Sequence, residues 1–360
     1  MRGGQGRTKV FQRDKSLIGI DIGSSSVKMV QLREARGSYH LVNLGLAMLP
    51  PEAIVDNAIM DSTAVVAAIR NLVETHKIKT KNVATSVSGH SVIIRKILLP
   101  MMTEEEMEAS IQWEAEQYIP FEIAEVNLDA QILGPDAKDP SQMNVMLVAA
   151  KKDIVADYVA LFKECGLNPL IMDVDCFAVA NVYEASYGIA DQEIVALIDL
   201  GDSSLNVNIL KGGMSVFTRD IQVGGNVYNE ELQKRLGLNS ADAETVKLGG
   251  EVGGVSPAAV TAVIEDTTEA LTTDIQRALD FFAASSSDER PRKVFITGGL
   301  SRVPAIKASL ANRLGIEVQV IDPWRQVKYD QKAFDAEYLQ AMGPLFTVAV
   351  GLAMRRVGDK

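Results

Sequence analysis

The sequence predicts an α/β protein built of two related lobes that face one another, and three observations carry this. Strand-like and helix-like apolar patterns alternate along the chain. The segment Asp21-Ile-Gly-Ser-Ser-Ser-Val-Lys28 returns as Asp199-Leu-Gly-Asp-Ser-Ser-Leu-Asn206, an offset of 178 residues (199 − 21), about half the chain. At 360 residues the chain also has length for two bodies with separate cores, given domains of roughly 100–200 residues.

Each copy of the repeat follows an apolar run (17–20 and 194–198) and leads into alternating apolar residues, Val27 and Met29 in one and Leu205, Val207 and Ile209 in the other. That is strand, tight turn, strand, twice. Between the copies, 81–88 and 92–99 read as strands. A helix is expected over 103–118, where Thr103 and Glu106 form a capping box and Met107, Ile111, Ala115 and Tyr118 share a face before Pro120 ends it. Its apolar positions, Trp113 included, read first as core, a partner groove being the rarer use, and Glu104-Glu-Glu106 reads as a helix start favoured by the dipole. Strands at 126–133 and 144–149 flank a turn-rich stretch at 134–140, and a helix at 152–163 is closed by Gly166. In the second half, helices are expected at 227–236, stopped by Gly237, and at 258–282. A loop follows at 285–291, then a buried strand at 293–297, a Gly298-Gly299 turn and a helix to Leu314 with Gly315 as its stop.

Composition fits a folded, water-soluble protein: 47% of residues are apolar and 23% charged, which matches neither a disordered nor a fibrous class. With 36 Lys and Arg against 47 Asp and Glu the net charge is −11, which repels nucleic acid and anionic lipid, and no basic cluster overcomes it. Cys165 and Cys176 have neither CxxC nor metal-ligand spacing and are expected as buried, reduced thiols of a cytosolic protein. His40, His76 and His90 form no HxxxH or HExxH pair, so no transition-metal site is expected and each reads as a loop or surface residue. Residues 1–15 are basic and Gly-rich and read as a flexible tail. No window reaches the roughly 18 apolar residues that span a bilayer, so neither a secretion signal nor an anchor is expected.

The two Asp-x-Gly hairpins carry the chemistry. Gly23, Ser24, Ser25 and Ser26 in the first turn, and Gly201, Asp202, Ser203 and Ser204 in the second, leave backbone N–H groups free to face an anion. Their small side chains let a phosphate approach. Asp21 and Asp199, at the strand ends, suit Mg²⁺ held through water, because that ion keeps most of its hydration shell. Lys28 reaches back toward phosphate from the strand leaving the first turn. One such hairpin reads as an ordinary polar turn; two at half-chain spacing do not. Gly298 and Gly299 add a surface on which a base or ribose can lie, and Arg302, in the same turn, is counted with this set. No GxxxxGK[ST] and no GxGxxG after a strand is present, so phosphate binding falls to the hairpins.

The order of these parts resembles the five motifs of the actin superfamily: phosphate hairpin (21–28), connecting helix (175–183), second hairpin (199–204), adenosine Gly-Gly (Gly298, Gly299) and C-terminal helix (343–354). The resemblance runs nearly end to end and implies an actin-like (ribonuclease H-like) two-lobed fold closing on ATP or ADP with Mg²⁺. By position, Asp175 matches the acid or amide that orients the attacking water in relatives. Glu244 and Lys247, in Ala-Glu-Thr-Val-Lys, match helix residues near ribose and adenine.

The segment 89–170, with Gln112-Trp-Glu-Ala-Glu-Gln-Tyr-Ile-Pro-Phe121, is similar to the 1C insertion of FtsA and most of all to that of the PilM family of type IV pilus machines. The implied organisation is subdomain 1A at 16–88 plus 171–190 and 343–360, 1C at 89–170, 2A at 191–225 plus 290–342, and 2B at 226–289. The implied role is a cytoplasmic scaffold that takes the N-terminal peptide of PilN in a groove between 1A and 1C. It would meet the inner membrane only through partners, with room for contacts to motor ATPases and a ring in the assembled machine. Asp175 is one methylene shorter than a Glu, so at most a slow Mg-dependent ATPase is expected. Two alternatives stay open: an FtsA- or MreB-like cytoskeletal protein, the former disfavoured by the missing terminal amphipathic helix, and a sugar-kinase-type phosphotransferase, which needs a carboxylate base and polar substrate set that the residues around Asp175 do not supply.

Overall fold

The computed structural model of the protein describes residues 17–136, 138–286 and 288–359. The expected tail at 1–15 lies outside the described residues, as do residue 16 of the first lobe, Ala137 and Ser287 in two expected loops, and Lys360.

The first half opens with β1 (Ile18–Ile22), β2 (Ser26–Ala35) and β3 (Ser38–Met48). Arg36 and Gly37, both at positive φ, close the two-residue turn between β2 and β3. A short hairpin of β4 (Ile54–Val55) and β5 (Ala58–Ile59) leads to α1 (Ser62–Thr75), whose N-cap Asp61 accepts from the Ala64 N–H. Then come β6 (Asn82–Val87), β7 (Val92–Pro100), α2 (Glu104–Ala115), β8 (Val126–Pro135), β9 (Gln142–Lys151), α3 (Lys152–Glu164), β10 (Asn168–Val174) and α4 (Asp175–Tyr187). The second half contains β11 (Ile194–Leu200), β12 (Leu205–Lys211), β13 (Met214–Ile221), α5 (Asn226–Leu236), α6 (Ser240–Lys247) and α7 (Pro257–Ser285). It closes with β14 (Lys293–Thr297), α8 (Pro304–Leu314), β15 (Glu317–Val320), β16 (Val327–Lys328), α9 (Ala336–Met342) and α10 (Thr347–Met354).

The duplication read from two octapeptides extends to whole sheets. The first has strand order β10-β6-β1-β2-β3-β16 and the second β15-β14-β11-β12-β13, which correspond strand for strand apart from β16. In both, the hairpin strands pair antiparallel, and the first of them pairs parallel with the strand on its other side. All five residues of β1 are buried, as a central strand covered on both faces requires.

A separate antiparallel sheet, β7-β9-β8, stands between β6 and β10 in the chain, and α2 covers one face of it. Met107, Ile111 and Ala115 bury against Ile97, Leu99, Val145 and Leu147, and the Thr103–Glu106 capping box is formed as expected. Two details differ from the sequence reading. Helix α2 ends at Ala115, leaving Tyr118 exposed, and Trp113 points outward with 74% of its surface exposed instead of joining the core. Trp113 lies two positions from Ile111, which on a 3.6-residue helix is the opposite side. Helix α3, which follows β9, packs instead into the first lobe through Tyr158, Leu161 and Phe162.

In the second half, the N-terminal part of α7 packs with α5 and α6 around Leu232, Ala243, Val246 and Val263. Its C-terminal part covers the second sheet through Leu271, Ile275 and Phe282. Residues Gly343–Phe346 form a 3-10 turn, so the expected C-terminal helix begins as α-helix only at Thr347. Cys176 is buried, whereas Cys165 is half-buried, with its thiol pushed up to about 11 by burial. His90 is exposed in a short turn and His76 caps α1, but His40 lies within β3 and not in a loop.

Helices α4 and α10 fill the joint between the two sheets, and α10 is buried along its whole length. Their approach is set by missing side chains. A Cβ on Gly351 would lie 2.0 Å from the Ala178 carbonyl oxygen, and one on Gly19 of β1 would lie 2.2 Å from the Ala349 carbonyl oxygen. Substituting Gly351→Ala should cost about 3 kcal/mol or more, because both neighbours are backbone that cannot rotate away. Gly253→Ala, whose Cβ meets nothing within 4 Å, should change stability by less than about 0.5 kcal/mol. Urea unfolding of the two variants measures the contrast.

Candidate functional site

The two hairpin turns are closed in the same way. The Gly23 N–H donates to the Ser26 carbonyl at 3.0 Å, and the Gly201 N–H donates to the Ser204 carbonyl at 3.1 Å. They face each other across the joint, with α4 starting between them, and the residues expected on both hairpins line one cavity with Asp175, Gly298 and Gly299. Gly298 sits at φ +83, and a Cβ there would lie 2.4 Å from Asp199 Oδ1 and 2.5 Å from the Leu200 carbonyl oxygen. Its N–H donates to the Pro344 carbonyl, which ties this turn to the segment before α10.

The cavity is rich in carboxylates. Asp21, Asp175, Asp199, Asp202 and Asp220 line it, and among the described residues Lys28 is the one lysine or arginine on its wall. In the strand register Asp21 faces Lys28, and the Lys28 ammonium lies 3.2 Å from the Asp21 carboxylate. The repeat places Asn206 opposite Asp199, but the Asn206 amide donates to Asp220 at 2.7 Å, so Asp199 has no such partner. Burial, then the Asp21 charge, push Asp199 up to about 6 against the opposing pull of Lys28. Asp175 is pushed up to about 7 by burial and by Asp21, although the Ser86 and Ser88 hydroxyls donate to it. Burial likewise raises Asp202 and Asp220, opposed by Lys247 at the first and by Asn206 at the second.

Glu244, Lys247 and Arg302 do not line the cavity. Lys247 is buried on α6 with its ammonium 2.5 Å from Glu244, which also accepts from Asn229 at 2.9 Å. Burial works to raise Glu244, but these two hydrogen bonds prevail and hold it below the usual range. The charges of Glu244 and Lys247 act on Asp202, and that of Arg302 on Glu244, so the three stand beside the second hairpin. Other wall residues were not singled out from the sequence: Asn57, Ser88, Asn206, Asp220, Leu345 and Val348. The loop Gly224-Gly225 also escaped notice. It packs on the second hairpin, with the Gly225 N–H donating to Gly201 and the Asn226 N–H to Asp202. Asn206 takes the ordinary polar position of the Leu205-Asn-Val-Asn alternation, with Leu205 and Val207 facing the core, so the pattern carried no signal for it.

Two features bear on the expected ligands. The backbone turns without Cβ atoms suit phosphate, yet five aspartates against one lysine repel it unless a cation neutralises them. No group of three or more His, Cys, Asp or Glu among the described residues is arranged to hold a metal directly. The residues present fit the expected hydrated Mg²⁺, which Asp21 and Asp199 would hold through water. The cavity volume is about 120 Å³, small beside the roughly 300–1,000 Å³ of ordinary small-molecule sites.

Among the described residues no helix is long and apolar enough to cross a membrane. The chain is similar to the ethanolamine utilization protein EutJ from Carboxydothermus hydrogenoformans, with 15% identity, 94% of this chain and 89% of that one covered, and a TM-score of 0.54. It is also similar to MreB5 of Spiroplasma citri bound to AMPPNP, with 14% identity, 94% and 95% covered, and a TM-score of 0.52. These likenesses show the fold, which is actin-like. A solved PilM–PilN type IV pilus biogenesis complex contains a chain 29% identical to this one, covering 96% of it and 99% of that chain, with a TM-score of 0.85. The family model described as type IV pilus assembly protein PilM matches residues 19–357. The resemblance drawn from the hairpins and the Gln117-Tyr-Ile-Pro stretch is borne out: the chain belongs to the PilM family of type IV pilus assembly proteins.

Proposed function

We propose that this protein is a cytoplasmic, nucleotide-binding scaffold of the type IV pilus machine, attached to the inner membrane by binding the N-terminal segment of PilN. The observation that carries this reading is the near end-to-end match, at 29% identity and a TM-score of 0.85, to a chain of the PilM–PilN complex. In this reading the PilN segment lies in a groove between the first lobe and the β7-β9-β8 sheet, and the scaffold links the inner-membrane proteins to the motor ATPases. A labelled PilN N-terminal peptide should bind saturably in an anisotropy titration. Absence of binding at high micromolar protein would overturn the reading.

The cleft takes ATP or ADP with Mg²⁺, the hairpin N–H groups meeting phosphate oxygens and the ion supplying the charge that the aspartates call for. With such a ligand bound, Lys28, now 3.2 Å from Asp21, would be placed to turn toward phosphate. Glu244, Lys247 and Arg302 stand on the side where the sugar and base leave the hairpins. Asp175 orients water only poorly, since its carboxyl is one methylene shorter than that of a Glu, so turnover is slow. Chelating Mg²⁺ should weaken nucleotide binding about tenfold or more, equivalent to about 1.4 kcal/mol, and Lys28→Met and Asp199→Asn should each do so separately. Calorimetry giving equal affinity with and without chelator would sink the cation-dependent site.

The raised carboxyls also set a pH dependence for the ligand-free protein. The folded pKa of Asp175, about 7, lies above its ordinary value of 3.8, so between these the folded state binds more protons than the unfolded chain. The contribution of Asp175 to stability is therefore fully present on the acid side and is lost as pH rises toward 7, with Asp199 acting in the same direction up to about 6. Asp175→Asn should flatten this slope in thermal melts between about pH 5 and 8, and an unchanged slope would show that another group causes it.

A further inference from the structure

Between β3 and α1 the chain makes a short excursion, the β4–β5 hairpin, whose tip reaches the cleft. The two central residues of its turn, Asp56 and Asn57, both adopt left-handed backbone, at φ +50 and +64. A turn of this kind takes Asn-Gly or Asp-Gly most readily, because a Cβ at its second central position is tolerated only at a cost. Asn57 occupies the position where glycine is favoured, and its half-buried side chain lines the cleft wall. Room for it comes from Gly89, itself at φ +76, where a Cβ would collide with the Asn57 amide. That amide makes no hydrogen bond among the described residues. Backbone of this kind, kept at a cost and aimed into a cleft, marks a side chain with a task there.

The base of the hairpin is fixed. Ala53 and Ile54 are buried in the core of the first lobe, and the Ala53 carbonyl accepts from the Met60 and Asp61 N–H groups at 2.9 and 3.1 Å. The Leu49 N–H donates to the Ser25 carbonyl at 2.9 Å, which ties the chain entering the hairpin to the first phosphate-type turn. Gly89, beneath the amide, follows Ser88, whose hydroxyl donates to Asp175. Asn57 therefore stands on the Asp175 side of the cleft, which is the terminal-phosphate side when Asp175 is the acid that faces the attacking water. Among five aspartates it offers an uncharged N–H donor, whereas Lys28 and Asn206 are engaged by Asp21 and Asp220.

We propose that the Asn57 amide donates to the terminal phosphate of a bound nucleoside triphosphate, so that the β4–β5 hairpin distinguishes a triphosphate from a diphosphate. The inference rests on the reading of the cleft as a nucleotide site and adds a specificity-determining contact to it. A diphosphate ends short of the amide and gains nothing from it.

Calorimetry on the full-length protein with Mg²⁺, using ADP and the non-hydrolysed triphosphate analogue AMPPNP, tests the contact. Asn57→Gly removes the amide and leaves Asp-Gly, a favoured sequence for this turn, so its thermal melt should not fall. It should weaken AMPPNP binding about tenfold and ADP binding by less than about twofold. Asp56→Gly alters the same turn at an exposed residue off the cleft wall and should change neither affinity. Equal weakening of both nucleotides by Asn57→Gly, weakening of neither, or the same loss from Asp56→Gly would overturn the contact and leave the nucleotide site standing. A wild type that binds neither nucleotide removes the site itself, and the contact with it.

Discussion

Helices α4 and α10 cross at a distance that depends on glycine: the Ala178 carbonyl occupies the space where a Gly351 side chain would begin, and Gly19 lets β1 lie as close to α10. This contact determines the separation of the lobes. Helix α4 starts at Asp175, inside the cleft, and α10 follows the Pro344 segment whose carbonyl accepts the Gly298 N–H and the Thr297 hydroxyl. Both phosphate-type hairpins, the connecting acid and the Gly298 turn are thus held to the same pair of helices. Close-packed backbone has few alternative arrangements, so the joint acts as a stiff pivot and not as a soft linker.

Within that frame the electrostatics of the cleft are unfavourable until something positive enters. Duplication brings an Asp-x-Gly hairpin in from each lobe, and facing hairpins bring facing carboxylates. Lys28 answers only one of them, because its counterpart in the second repeat is Asn206, which turns to Asp220. Burial, and after it the Asp21 charge, then raise Asp175 and Asp199 together. Such an arrangement is costly in an empty protein and suits a cation with an anionic ligand.

Much of this was legible along the chain because it is local. The Thr103–Glu106 box, the helix stops at Gly237 and Gly315 and the two tight hairpins each depend on residues a few positions apart, and each formed as expected. Departures occurred where contacts between distant segments decide. Trp113 has the composition of a core residue, but helix phase relative to Met107 and Ile111 turns it to solvent. Helix α3 follows the inserted sheet directly in the chain yet packs into the first lobe. Asn57, Ser88 and Asp220 reach the cleft from strands and loops with no motif of their own, and the Gly224-Gly225 loop is recognisable only once it rests on the second hairpin.

The sequence by itself determined the class, the duplication and the family, since these follow from local periodicity and from short motifs whose order survives folding. The tertiary structure decided which carboxylates share a cavity, how far Lys28 can serve them, and that Glu244, Lys247 and Arg302 stand beside the cavity and not on its wall. It also decided that the Trp113 ring lies outside. The physical reason is range: hydrogen bonds and turns are set by neighbours in sequence, whereas burial, and the Coulomb interactions that burial strengthens, depend on residues more than a hundred positions apart.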